Sequence, residues 1–258
     1  MPENIRMNID WNAEKYTNNF SFVHQYGKDV LALLDFEKIK TIIDLGCGNG
    51  ALTEILHNQG LSVIGIDASK NLLQKAKENH PHVLFEYGDA TSFKVDTQVD
   101  AIFSNAVFHW IDREKQAKML SCVYQALKSN GQFVFEFGGY GNNAMIHRAL
   151  EIEFEKRGYK YKMPFYFPSI GEYASLVEKA GFQIRIALLF DRFTELKGDN
   201  GLKDWISMFI KTPFSAIKSN EEKELIIDNA VKLLQTSLYQ NGKWYADYVR
   251  LRMKALKL

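Results

Sequence analysis

A doubly wound, mostly parallel α/β sheet is the fold that this 258-residue sequence predicts, from three observations. A β-branched run, Ile39-Lys40-Thr41-Ile42-Ile43-Asp44-Leu45, opens into Gly46-Cys47-Gly48-Asn49-Gly50. Directly behind it, Leu52, Ile55 and Leu56 recur at helical spacing. That order reads as buried strand, tight turn and helix. Short apolar runs then alternate with helical patterns as far as Phe137, as expected of parallel strands joined by crossovers. Finally, Phe182–Leu188 and Tyr248–Ala255 alternate apolar and polar residues as strands do.

Each element has its own signal. Trp11–Phe22 is aromatic-rich, and Gly27–Phe36 has the pattern of a helix burying Val30, Leu31, Leu33 and Leu34. After strand one, the glycines allow close backbone approach to a ligand and positive φ. The first N–H groups of the next helix face the same place. Leu61–Asp67 is strand two, and Ser69–Asn79 the following helix. Asp67 lies 21 residues after Gly46, about where a strand-tip acid meets a ribose diol. It also stands where a helix N-cap stands, with Ser69 as a competing cap. His82–Tyr87 is strand three, leading to Gly88-Asp89-Ala90, where Asp89 reads as a ligand contact or a turn residue. Asp100–Phe103 is strand four, Arg113–Lys128 a helix and Gly131–Phe137 strand five.

Residues 192–243 are too long a link for a hairpin. They hold two helical stretches, Gly201–Lys211 and Asn220–Leu238, separated at Pro213. Trp205, Met208 and Phe209 form one apolar stripe; Leu225, Ile226, Ala230, Leu233 and Leu234 form another. Long insertions in a compact fold are often functional. The interval is therefore read as a helical cap over the pocket, with Trp205 and Phe209 facing a substrate, against the plainer reading that the stripes pack on each other and on the sheet edge.

Composition narrows the function. Hydrophobic residues make up 46% of the chain, enough for a sizeable core, and the net charge of +1 supplies no broad field for a polynucleotide. Cys47 and Cys122 give no disulfide framework, and the six histidines show no metal-ligand spacing. No run of 18 apolar residues and no signal-like start is present, so a soluble cytoplasmic protein without membrane, metal or nucleic-acid partners is expected. The sequence sets no oligomeric state.

Asp44-x-Gly46-x-Gly48-x-Gly50, Asp67, Gly88-Asp89-Ala90 and Ser104-Asn105-Ala106, in this order and spacing, resemble a class I S-adenosylmethionine-dependent methyltransferase. Ser104-Asn105-Ala106-Val107-Phe108-His109-Trp110, with the turn Glu136–Asn142, is most similar to the trans-aconitate methyltransferase-like branch. The superfamily resemblance covers roughly residues 10 to 140. It implies a seven-stranded sheet whose last strand inserts antiparallel between the fifth and sixth, in a single domain over residues 1–258. The N-terminal helical segment, residues 1–36, would lie over the cofactor.

The resemblance further implies that Gly46, Gly48 and Gly50 line S-adenosylmethionine and that Asp67 accepts its ribose hydroxyls. Asp89 and Ala90 would take the adenine, Asn105 and Asp44 would lie near the cationic end, and Tyr16 and His24 would contact the cofactor carboxylate. His109, which follows strand four, is a candidate base or a packing residue; Trp110, Glu136 and Tyr140 complete the candidate pocket. His147 and Arg148 would meet an anionic substrate or lie on a solvated helix face. The sequence marks no set of arginines for a tricarboxylate.

The activity so implied is direct in-line methyl transfer to a small molecule, with O-methylation of a carboxylate or hydroxyl ahead of N- or C-methylation. Two alternatives stay open. A nicotinamide-dependent oxidoreductase would share the glycine turn and Asp67, but would leave the Gly-Asp-Ala and Ser-Asn-Ala segments and the terminal strand unexplained. A non-catalytic S-adenosylmethionine-binding protein would use the cap to engage a partner.

Overall fold

The computed structural model describes residues 22–258, with side chains from residue 26 onward. These residues form two compact units. The larger takes the described chain up to Tyr140, then Tyr166–Leu189 and Arg250–Leu258; the smaller takes Gly141–Phe165 and Phe190–Val249.

In chain order the elements are α1 (Phe22–Leu31), β1 (Thr41–Leu45), α2 (Ala51–Asn58), β2 (Ser62–Asp67), α3 (Lys70–Asn79), β3 (Leu84–Tyr87) and β4 (Val99–Asn105). Then follow α4 (Gln116–Ala126), β5 (Leu127–Gly138), α5 (Ala144–Glu155), α6 (Ile170–Lys179) and β6 (Phe182–Leu196). The chain closes with α7 (Gly201–Phe209), α8 (Asn220–Leu238), β7 (Tyr239–Gln240) and β8 (Lys243–Lys257). The strand order is β3-β2-β1-β4-β5-β8-β6, with the short β7 beside β8. Strands β1 to β5 pair in parallel. β8 runs antiparallel to β5, with Glu136 opposite Arg252 and Gly138 opposite Arg250. The last strand thus inserts between the fifth and sixth, as the family resemblance implied.

The larger unit buries both faces of its sheet, which is why its central strands read as continuous apolar runs rather than alternations. On one face Ile42, Ala101, Phe103 and Val134 meet Val30, Leu31 and Leu34 around α1, and Leu52 and Leu56 of α2. On the other, Ile43, Ile102, Phe133, Phe135 and Phe137 meet Met119, Leu120 and Val123 of α4 and Tyr173 and Val177 of α6. Leu251, Met253 and Ala255 of β8 join this second face. The arginines between them are not on a solvated face: Arg250 is 7% exposed, and Arg252 is paired with Glu136.

In the smaller unit α5 packs along α8, and Phe154 meets Phe214 edge-on at 5.0 Å. Trp205 is 2% exposed and donates its indole N–H to Tyr248 Oη at 2.6 Å, while its ring tilts against Phe209. The unit contains the 192–243 interval and, beyond it, residues 141–165.

Three local expectations are corrected. The first described helix is Phe22–Leu31 rather than Gly27–Phe36; the chain turns after Leu31, and Leu34 is buried from that turn. Leu225 and Leu233 point outward at 52% and 47% exposure, because α8 buries the stripe Ile226, Ile227, Ala230, Leu234 and Leu238. His147 lies on neither a substrate-facing nor a solvated surface. It is buried, with Nδ1 2.6 Å from Tyr161 Oη, and burial alone pushes its pKa down to about 3. Arg148 is exposed and pairs with Glu151.

Candidate active site

The carboxyl ends of β1, β2, β4 and β5 lie side by side, the edge at which open α/β sheets bind ligands. At β1 the chain turns through glycines with backbone hydrogen bonds that fix the loop. Gly46 N–H and Cys47 N–H both donate to Ile66 O, and Gly50 N–H donates to Cys47 O. Gly46 has φ +80°, and an added Cβ would run into Val107. Gly48 has φ +57°, and a Cβ there would meet no atom of the described residues within 4 Å. Packing therefore demands the first glycine, whereas the second borders open space that a ligand backbone approach would use. Gly50 carries its Cα against the ring of Phe85, and Cys47 is a buried filler side chain in this turn.

Asp67 ties this loop to β2. Its Oδ2 accepts Gly48 N–H at 2.8 Å and its Oδ1 accepts Ser69 N–H at 2.7 Å. Ser69, not Asp67, caps α3, accepting Leu72 N–H at 3.4 Å. Burial pushes the Asp67 carboxyl up, and the backbone donors of Ser69, Gly48 and Ala68 pull it back. A carboxylate has about four acceptor positions, so these bonds orient Asp67 without exhausting it.

Asp44 is buried at the end of β1 and accepts Thr53 Oγ1–H at 2.7 Å. Burial raises its pKa to about 7; the Thr53 bond opposes that rise and the charge of Asp67 adds to it. A cationic ligand would favour the ionised form. Asp89 begins a turn in which Oδ1 accepts both Thr91 N–H and Thr91 Oγ1–H at 2.8 Å, and Ala90 follows, half-buried. Asn105 ends β4 half-buried, and Ala106 takes the left-handed φ of 61° behind it. For a residue with a Cβ that conformation costs about 1–2 kcal/mol, held here by Ala106 N–H donating to Glu136 O.

At β5 the structure joins residues far apart in sequence. His109 is buried beneath Trp110, Phe137 and Phe167, with ring centroids 5.2, 6.5 and 5.9 Å away. Its Nδ1 accepts Gly138 N–H at 3.3 Å. Burial first, and then the charge of Arg250, hold the imidazole well below its usual range. It is neutral, and with Nδ1 accepting, Nε2 carries the proton. Glu136 is 2% exposed, and its Oε2 accepts from both Nε and Nη2 of Arg252 at 2.7 Å. Tyr140 is 70% exposed, its N–H donated to Pro168 O.

Trp205 and Phe209 belong to the smaller unit's interior, at 2% and 8% exposure. Tyr16 lies outside the described residues, and His24 is described only as a position on α1. Sequence reasoning missed Thr53, Phe167, Arg250 and Arg252. The signal for the arginines was present: two cations at alternate positions of an otherwise apolar terminal strand. It is informative only once β8 is known to be buried on both faces.

Among the described residues, the open space beside Gly48, the buried Asp44 at the end of β1, the half-buried Asp67 at the end of β2 and Asp89 in the turn after β3 suit a nucleoside whose other end is cationic. Among the described residues no group of histidine, cysteine or carboxylate side chains is placed to hold a metal ion, and no helix is long and apolar enough to cross a membrane.

Comparison with known proteins agrees with this geometry. Residues 42–131 match a family model described as a methyltransferase domain. An uncharacterized methyltransferase of Schizosaccharomyces pombe is 30% identical over the full length of both chains. A trans-aconitate 2-methyltransferase of Enterobacter is 23% identical over 94% of this chain and 96% of its own. A solved structure of a Bacillus halodurans protein described as a methyltransferase shares the fold, with a TM-score of 0.63 at 17% identity over 90% of this chain and 99% of that one. The chain belongs to the class I S-adenosylmethionine-dependent methyltransferases.

Proposed function

We propose that this enzyme transfers the methyl group to an oxygen of a small carboxylic acid that arrives already ionised. One observation carries this reading: His109, the candidate base, has its Nδ1 lone pair engaged by Gly138 N–H and its proton on Nε2. Such a ring donates a hydrogen bond and does not accept a proton from a substrate. Glu136 is engaged by Arg252. An amine or phenol acceptor would need a base, whereas a carboxylate needs none at neutral pH.

S-adenosylmethionine, when bound, supplies an activated sulfonium methyl and leaves as the thioether. With the acceptor already ionised, its own oxygen lone pair would serve as nucleophile toward that methyl, and the chain's residues would have no proton to remove. The chain's residues bind and orient. Gly48 and Asp67 would hold the nucleoside, Asp89 and Ala90 the base, and Asn105 and Asp44 the cationic end. Trp110 and Phe167 would exclude water around His109, which matters because the reacting atoms need alignment at ~3–3.5 Å. Trp205 and Phe209 would act by shaping the smaller unit, the cap in this reading.

The similarity to trans-aconitate 2-methyltransferases supports a carboxylic acid acceptor. The test supplies methyl-labelled S-adenosylmethionine with panels of carboxylic acids, alcohols and amines. The expected product is a methyl ester that releases methanol in base. A base-stable N-methyl product would refute the assignment.

A further inference from the structure

His109 and Trp110 sit on a single 3₁₀ turn, Phe108–Trp110, between β4 and α4. Its own backbone bonds are Trp110 N–H to Val107 O and Ile111 N–H to Phe108 O, too few to fix so short a helix. Gln116, the first residue of α4, folds back over it. Its Nε2 donates to Phe108 O at 2.8 Å and to Ile111 O at 2.9 Å, so the two bonds bracket His109 and Trp110. With both amide hydrogens engaged by carbonyls, Oε1 is left to accept, and Tyr173 Oη–H of α6 donates to it at 3.0 Å. Gln116 and Tyr173 are each 0% exposed, and burial holds the Tyr173 phenol well above its usual range, so it stays a donor. A further bond ties the same turn to the segment before α6, where Tyr166 N–H donates to His109 O at 3.0 Å.

From this arrangement we infer that Gln116 is a positioning residue for methyl transfer, holding the 108–111 turn, and with it His109 and Trp110, in register with the acceptor. The inference rests on the placing of those two residues around the acceptor in the reading above, and adds the group that fixes them. Glutamine suits the task because one neutral amide brings two donors and an acceptor on a reach long enough to span the turn. A glutamate would offer the two carbonyls no N–H, and an asparagine is one methylene short. Tyr173 acts one step further back, by orienting the amide.

The test compares the full-length parent protein with Gln116→Met and Tyr173→Phe, each labelled with ¹⁵N-histidine and titrated with S-adenosylhomocysteine. Gln116→Met keeps a side chain of similar volume and removes its bonds; Tyr173→Phe keeps both carbonyl bonds and removes the one that orients the amide. Affinity for S-adenosylhomocysteine should hold in both, which shows that the fold and the cofactor half persist. His109 should give one set of ring-nitrogen signals in the parent and doubled or exchange-broadened signals in Gln116→Met. With the carboxylic acid that the parent turns over fastest, kcat/KM should fall about tenfold to a hundredfold in Gln116→Met, the scale of a ~1 Å misplacement, and less in Tyr173→Phe. A Gln116→Met variant with the parent's turnover and a single His109 signal would overturn the assignment. So would a loss of S-adenosylhomocysteine affinity as large as the loss of turnover, which would leave Gln116 a folding role alone. A parent that methylates an amine and no acid would overturn the carboxylate reading instead, and the same comparison run on that amine then decides the place of Gln116.

Discussion

Asp67 reaches its partners Ser69 and Gly48 over 2 and 19 residues of chain, whereas Glu136 reaches Arg252 over 116. Those two distances separate the halves of the candidate site. The β1–β2 half is built from backbone N–H groups, glycines and acids at strand tips, all close in sequence. The β5–β8 half is built from side chains that meet only because the terminal strand inserts into the sheet. A local motif tolerates drift elsewhere in the chain, while a cross-strand constellation needs the whole sheet in register. Cofactor recognition and acceptor recognition should therefore fail separately.

The largest effect should come from breaking the cross-strand pair. Arg252→Met removes the two N–H bonds that the buried Glu136 carboxylate accepts from this guanidinium, and should cost about 3–5 kcal/mol in urea unfolding. Adding Glu136→Gln should recover much of that loss, since it removes the buried charge that Arg252 had paired. A double variant as unstable as the single would show that the pair is not the cause.

Next, Asp67→Ala should weaken S-adenosylhomocysteine binding by about a hundredfold in calorimetry, the scale expected for lost hydrogen bonds to a charged group. The two neighbouring glycines sharpen the same half. Gly46→Ala forces a Cβ into Val107 and should lower the melting temperature. Gly48→Ala costs only about 1–2 kcal/mol of left-handed strain, and should act mainly on cofactor binding through the space it fills. Equal melting temperatures for the two would undo the distinction between a packing glycine and a ligand glycine.

Asp44 gives a pH dependence with a definite sign. Its folded pKa is raised to about 7 from 3.8, so the folded protein keeps a proton that the unfolded chain loses. Its contribution to stability without cofactor is full below about pH 4 and declines as pH rises through 7. Binding of the cationic cofactor runs the other way: S-adenosylmethionine affinity should rise about tenfold from pH 6 to pH 8 as Asp44 ionises. Asp44→Asn should flatten that profile; a slope surviving in the variant would assign it elsewhere. The smallest effect belongs to the smaller unit, where Trp205→Phe removes the bond to Tyr248 and should cost about 1 kcal/mol in thermal unfolding.

This contrast also explains what could be read in advance. The order of strands and helices, the glycine turn, the place of Asp67 at the tip of β2 and the antiparallel last strand were legible because each rests on local pattern or on the family's spacing. Ser69 as the α3 cap was legible for the same reason. Arg250 and Arg252 were not, since alternation along Tyr248–Ala255 looks the same whether the second face meets solvent or a buried acid. The His109 tautomer was hidden too, because it depends on a backbone N–H 29 residues away. On α8, the positions of Leu225 and Leu233 depend on which stripe of a long helix meets α5 and α7, and apolar spacing alone does not choose between overlapping stripes.

The most direct measurement is calorimetric titration of S-adenosylhomocysteine into Asp67→Ala and Arg250→Gln side by side with the parent protein. Two separately built halves predict that Asp67→Ala loses most of the affinity and Arg250→Gln keeps it. If both variants lose affinity together, the halves are one coupled unit and the account given for them is wrong.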